Sequence, residues 1–197
     1  EELIKKKITK KCILIDNFGS YINPLKENFV DFRKLRFSSL KNTIIERCDT
    51  SNYKTISMLI NKYKPDYIYH TAALPLAKVS NLNNEEAKIS SVDSTLNILD
   101  AIINLSIKNK SYKCKRFVYF SSSMVYGDFE KSSVNEKSEK KPKDAYGIMK
   151  LAGEVITEGV CKLHSIPYTI IRPSAVYGPK DMNRRVSQIF VENAFKG

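Results

Sequence analysis

The chain has 197 residues, 42% of them hydrophobic and 27% charged, the proportions of an ordinary soluble globular protein of one or two domains. No apolar run approaches the roughly 18 residues that span a bilayer, and no secretory apolar segment is read at its start, so the expectation is a cytoplasmic protein without a membrane partner. The formal charge is +12, from 33 Lys and Arg against 21 Asp and Glu.

The excess lysine is spread from Lys5 to Lys196, with short clusters at Lys5–Lys7 and at Lys137, Lys140 and Lys141. A nucleic-acid site concentrates such residues in a stripe with stacking aromatics, so a solvated lysine-rich surface is the reading and nucleic acid is not an expected partner. Cys12, Cys48, Cys114 and Cys161 are widely spaced and form no CxxC pair, which suits free thiols in a reducing compartment. His70 and His164 are too few and too scattered for a metal site.

In chain order, Glu1–Lys10 reads as the tail of a helix, with Leu3, Ile4 and Ile8 on one side and no cap before it. The chain is thus read as starting inside an element. Lys11–Asp16 is a short apolar run ending in an acid, a buried strand. Asn17–Leu40 is irregular, with Gly19 and Pro24 as turn signals. Thr43–Cys48 is a second strand. Asp49-Thr50-Ser51 can cap a helix over Tyr53–Tyr63, which Pro65 ends.

Asp66–Thr71 is a third strand. A long helix is expected over Glu85–Leu105, where Val92, Leu96, Ile98, Leu99, Ile102 and Ile103 follow a helical stripe. Arg116–Phe120 is a fourth strand, running into three serines. Asp128–Lys143 is a polar surface loop, Ala145–Leu163 a helix, Pro167–Arg172 a fifth strand and Val186–Phe195 a last helix. This alternation argues for an α/β fold, a doubly wound parallel sheet with helices on both faces. Such sheets bind ligands at the carboxyl ends of their strands, where Asp16, Thr71–Ala73 and Ser121–Ser123 all fall.

The chemistry concentrates in two motifs. Ser121-Ser122-Ser123-Met124-Val125-Tyr126-Gly127 closes the fourth strand, and Tyr146-Gly147-Ile148-Met149-Lys150 opens the helix after it. A free tyrosine has a pKa of about 10 and is a poor base near neutrality. A lysine at i+4 shares its helical face, and its charge favours the phenolate. Such a tyrosine can take a proton from an alcohol as hydride leaves the carbon, and a serine at the neighbouring strand end can hydrogen-bond the same oxygen.

With 11 tyrosines, a YxxxK pair also arises by chance as a surface tyrosine beside a solvated lysine; the serine run upstream is what makes the combination specific. Asp16 can accept both ribose hydroxyls of an adenosine and would repel a 2′-phosphate. An aspartate there also ends strands as a turn residue, but the order of elements favours the ribose role.

From about Lys11 to Gly197 the chain resembles the extended short-chain dehydrogenase/reductases, specifically the NAD-dependent epimerase/dehydratases of the UDP-glucose 4-epimerase type. The matching segments are ILIDN at Ile13–Asn17, Cys48-Asp49-Thr50, His70-Thr71-Ala72-Ala73, FVYFSSSMVYGD at Phe117–Asp128, the Tyr146–Lys150 motif and IIRPSAVYGP at Ile170–Pro179. The resemblance implies a Rossmann-type domain over residues 1–197, with 180–197 leading into a substrate domain.

It also implies NAD as cofactor and a nucleotide sugar as substrate. Ser122, Tyr146 and Lys150 are the catalytic trio it assigns. Asp16, Asn17, Asp49, Thr50, Ala72, Ala73, Ser91, Ser121, Ser174, Tyr146 and Lys150 would bind the cofactor, and Ser122, Ser123, Arg184 and Arg185 the substrate. A homodimer through the long helix and the Tyr146 helix is a further expectation.

Relatives that eliminate water follow the catalytic residue with Asp-Glu, and decarboxylating relatives use a glutamate there; here Ser123 and Met124 stand in those places. Epimerisation at C4 is the reaction left, with Tyr146 as the base. A reductase or dehydratase of the same family, and a non-catalytic RNA-binding or scaffold relative, are the alternatives. The chain departs from the family in lacking its first strand, its GxxGxxG turn and most of the substrate domain, so it reads as an internal fragment. Ala175 replaces a common asparagine, and Arg184 and Arg185 either pair with phosphates instead or open a surface helix. Residues around Asp93-Ser94-Thr95 depart from an Asn-x-x-Gly-Thr pattern.

Overall fold

The structure is a computed structural model that describes residues 8–18, 42–74, 83–129, 132–176 and 186–196. Its strands are β1 (Cys12–Asp16), β2 (Thr43–Arg47), β3 (Tyr67–His70), β4 (Arg116–Phe120) and β5 (Tyr168–Ile171). The helices are α1 (Tyr53–Tyr63), α2 (Asn84–Lys88), α3 (Ser94–Lys108), α4 (Ala145–Leu163) and α5 (Val186–Lys196).

Each expected strand forms within its expected limits. All pairings are parallel, as a strand–helix alternation requires. Among the described residues the ladder has two parts, β1–β2 and β3–β4–β5. Residues 1–7 of the expected first helix lie outside the described residues, as does most of the irregular stretch after Asn17, and Ile8–Lys10 are not helical.

Local chemistry sets the helix ends. α1 is capped by Asn52, whose side chain accepts from the Thr55 amide, and not by the Asp-Thr-Ser triplet. Asp49 is taken up earlier, accepting from the Ser51 amide at 2.8 Å and its hydroxyl at 2.7 Å, a local aspartate turn. The single long helix expected over Glu85–Leu105 is interrupted. α2, capped by Asn83, passes through a π-helical turn at Ile89–Asp93 into α3. Just after that turn the Thr95 hydroxyl donates back to the Ser91 carbonyl at 2.5 Å. α4 starts where Asp144 accepts from the Gly147 amide at 2.7 Å.

Three helices pack side by side, α1 on α3 and α3 on α4. Their inward residues, among them Ile56, Leu99, Ile102, Leu105 and Cys161, join Phe117 and Tyr119 of β4 in one buried core. Each fully buried Leu or Ile contributes about 1.5–3 kcal/mol. Tyr67 and Tyr69, on the opposite alternation of β3, stay exposed.

Core packing around Tyr119 is tight. A methyl group at Gly153 of α4 would lie 2.1 Å from the Tyr119 hydroxyl and 2.5 Å from its ring. Tyr119 is 1% exposed, so its ring has little room to yield. Gly153→Ala should therefore destabilise by about 1–3 kcal/mol through overpacking, partly offset by about 1 kcal/mol of helix propensity. Urea denaturation of Gly153→Ala and of Gly153→Ala/Tyr119→Phe measures this. The double variant should recover part of the loss; a single variant as stable as the parent would show that the ring can move.

Candidate active site

The parallel ladders bring the carboxyl ends of β1 and β2 together, and likewise those of β3, β4 and β5. Asp16 and Asn17 leave β1, Asp49 follows β2, Ala72 and Ala73 follow β3, Ser121–Ser123 follow β4, and Ser174 follows β5. A lysine at the first buried turn of α4 completes the arrangement on the β4 side.

Lys150 is 4% exposed. Its Nζ donates to the Phe120 carbonyl at 2.8 Å, the last carbonyl of β4. From there it stands 5.8 Å from the centroid of the Tyr146 ring and 5.5 Å from that of Tyr119. Burial lowers the Lys150 pKa to about 8, so the ammonium persists at neutral pH but is lost in mild alkali. Tyr146 is half-buried, one turn before Lys150 on the same face.

Ser122 opens a 3-10 turn, Ser123–Tyr126, and is itself buried. Its Oγ accepts from the Met124 amide at 3.2 Å, which leaves the hydroxyl proton available to donate. Ser123 donates its amide to the Pro173 carbonyl at 3.0 Å, which ties the turn to the end of β5. Ser121 is 3% exposed and its Oγ is buried with no hydrogen-bond partner. An orphaned hydroxyl at a strand end beside the Lys150 anchor calls for a ligand or water.

His70 ends β3 beneath this site. It is 3% exposed, and its Nε2 lies 3.0 Å from the Thr95 hydroxyl. Thr95 spends its own proton on the Ser91 carbonyl, so it must accept from His70, and Nε2 carries the imidazole hydrogen. Burial, and then the charge of Lys150, pull the His70 pKa down to about 3, so the ring is neutral. Through this chain β3 is joined to the π turn, which packs on α4.

At the β1–β2 end, the Asp16 carboxylate accepts from the Phe18 amide at 2.7 Å, and Asn17 donates to Asp49 at 3.4 Å. A cavity of about 470 Å³ opens there, lined by Asn17, Arg47, Cys48, Asp49, Asn52 and Thr55. Arg47, the last residue of β2, Asn52, the cap of α1, and Thr55 in its first turn had no functional signal in the sequence. Thr50 faces inward, its hydroxyl 2.6 Å from that of Ser94, and Ser91 is 4% exposed inside the π turn. Ser174 is exposed. Arg184 and Arg185 lie outside the described residues. No cluster able to hold a metal is present among the described residues, nor any helix long and apolar enough to cross a membrane.

A family model, the NAD-dependent epimerase/dehydratase family, matches residues 3–197. The chain is 26% identical over 200 residues to a dTDP-D-glucose 4,6-dehydratase of Dictyostelium discoideum, covering 96% of this chain and 43% of that protein. It is 30% identical over 184 residues to a Bacillus subtilis protein described as an uncharacterised UDP-glucose epimerase, covering 91% of this chain and 52% of that protein. The chain thus spans about half the length of the curated relatives it matches.

Among solved structures, UDP-glucuronic acid 4-epimerase from Bacillus cereus, in complex with UDP-glucuronic acid and NAD, superposes with a TM-score of 0.80 at 23% identity, over 99% of this chain and 58% of that one. A dTDP-glucose 4,6-dehydratase double mutant from Streptomyces venezuelae, with NAD bound, gives 0.79 at 17%, over 100% and 57%. These structural likenesses concern the fold. Together with the match over nearly the whole length, they place the described strands and helices in one architecture, and the chain belongs to the NAD-dependent epimerase/dehydratase family.

Proposed function

We propose that the protein epimerises a nucleotide sugar at C4, with NAD as cofactor and Tyr146 as the proton-transferring group. The observation that carries this reading is Lys150: a buried ammonium, anchored on the Phe120 carbonyl and held beside the Tyr146 ring. A solvated surface lysine has neither the burial nor the anchor.

The residues present suit NAD. The Ser121 hydroxyl is buried and unpartnered at one strand end, and an open cavity flanks Asn17 and Asp49 at another. Asp16, Asn17, Asp49 and Thr50 would hold the adenosine end, and Ser121, Tyr146 and Lys150 the nicotinamide end; Ala72, Ala73, Ser91 and Ser174 complete the set. When bound, NAD supplies the acceptor and donor of a hydride.

The chain's own residues handle the proton. The Lys150 ammonium favours the phenolate of Tyr146, which takes the proton of the sugar hydroxyl and later returns it. Ser122, whose oxygen is fixed by the Met124 amide, directs its hydroxyl proton at the substrate oxygen. Ser123 and Met124 carry no carboxyl group, so the turn offers no acid–base pair for eliminating water, and this favours epimerisation over dehydration. Arg184 and Arg185 are candidates for the substrate's phosphates. A homodimer is proposed on the family resemblance alone.

The test is a product analysis. The protein is incubated with NAD and a panel of UDP-, dTDP- and GDP-sugars. An epimer formed without net change in NAD supports the reading. A 4-keto-6-deoxy sugar would make it a dehydratase, and stoichiometric NADH a dehydrogenase. No turnover of any sugar, with salt-sensitive RNA binding, would favour the binding-protein alternative.

A further inference from the structure

Arg172, the residue after β5, joins three segments that are far apart in the sequence. Its Nε and Nη2 donate to the two carboxylate oxygens of Glu154 on α4, at 2.7 and 2.8 Å. Its Nη1 donates to the Tyr126 hydroxyl at 2.9 Å and to the Glu136 carbonyl at 3.2 Å. The guanidinium carbon also lies 5.3 Å from the centroid of the Tyr126 ring. The pair is shielded from solvent, with side-chain exposures of 15% for Arg172 and 4% for Glu154.

Stability alone does not account for such a pair. Desolvating two charges offsets much of their attraction, and an apolar pair of the same volume commonly serves a fold as well. A planar fork on a carboxylate, however, sets direction as well as distance. Glu154 is one turn beyond Lys150, which is one turn beyond Tyr146, so all three share a helical face. Tyr126 closes the 3-10 turn that Ser122 opens.

The other end of that turn already abuts α4. A methyl group on Gly147 would lie 2.7 Å from the Met124 carbonyl, so only glycine allows this approach. The turn is thus seated on α4 directly at Gly147 and through Arg172 at Glu154.

We propose that Glu154 and Arg172 are positioning residues, whose fork clamps the serine-bearing turn against the helix that carries Tyr146 and Lys150. The catalytic consequence rests on the function proposed above; the clamp itself rests only on the geometry. An error of about 1 Å in such a placement can cost about 10²-fold in rate.

The experiment compares Glu154→Gln and Arg172→Lys with the parent in two readouts. The first is amide hydrogen exchange at Val125 and Gly127 of the turn against that of Ile98–Leu105 in α3. The second is steady-state kinetics with the sugar nucleotide identified by the product analysis. Exchange should accelerate in the turn and not in α3. kcat should fall by about 10²-fold with KM little changed, and Arg172→Lys should not rescue it, because an ammonium cannot reproduce the fork.

Wild-type kcat in both variants would overturn the proposal. So would exchange that rises evenly through the chain, with activity lost only in proportion to the unfolded fraction, since the pair would then merely hold the fold. If Glu154→Gln does not fold, Tyr126→Phe leaves the ion pair intact and removes only its hydrogen bond to the turn; it should give the same pattern at smaller size. If the parent turns over no sugar, the proposed function fails while the exchange readout still decides the clamp.

Discussion

Tyr146→Phe is expected to lower turnover by about 10³-fold while leaving the fold intact, the usual cost of deleting a general base. The lost atom is a hydroxyl at the half-buried rim of the site, and the ring that packs beside Lys150 is retained. KM for the sugar nucleotide should change little, because proton transfer belongs to the transition state. A loss of a few-fold only would show that another group takes the proton.

The pH profile gives an independent check. Lys150 assists Tyr146 only while it is an ammonium, and burial has brought its pKa down to about 8. Activity should therefore fall as pH rises through about 8. Lys150→Arg, charged throughout that range, should flatten this limb even if its overall rate is low. An alkaline limb that survives in Lys150→Arg would assign it to another group.

The second large effect is an acid-side loss of stability through His70. The folded ring is neutral and buried, with its pKa drawn from 6.5 to about 3, first by burial and then by the charge of Lys150. In the unfolded chain the same ring takes up its proton near pH 6.5. Between these values the unfolded state binds more protons, so stability falls as pH falls from 6.5 to about 3. At 1.36 kcal/mol per unit the loss reaches about 5 kcal/mol at the acid end of that window.

Urea denaturation at several pH values, on the parent and His70→Gln, measures it. Glutamine can still donate to the Thr95 hydroxyl but does not titrate. The variant should start less stable at pH 7 and overtake the parent as the pH drops. Parallel curves would mean that His70 is solvated or protonated in the fold. Carboxylates titrate in both proteins, so they leave the difference between the curves unchanged.

Local signals carried much of this molecule. The apolar runs that end in Asp16, His70 and Phe120 form strands because continuous β-branched and aromatic residues suit a ladder buried by helices. The limits expected for α4, Ala145–Leu163, are those the helix takes, and the structure shows Asp144 capping its first turn. Where two local devices compete for one helix end, residue type alone does not rank them. Asp49 is a fit cap for α1 by residue type, but its carboxylate closes a turn with Ser51, and Asn52 caps instead. The π turn at Ile89–Asp93 left no mark in the apolar stripe, because one extra residue in a helix hardly disturbs a short periodic pattern.

By itself the sequence determined the kinds of elements, their order, and that Ser122, Tyr146 and Lys150 follow a strand and open a helix. Spacing along one chain is enough for that, since i and i+4 share a helical face in any context. Only the tertiary structure decided the state of these groups. It buried Lys150 on the Phe120 carbonyl, left the Ser121 hydroxyl unpartnered and put His70 out of water. It also joined Arg172 to Glu154, Tyr126 and Glu136. Desolvation and pairing depend on which elements come to lie side by side, and sequence periodicity records the face a residue takes but not the neighbour it meets there.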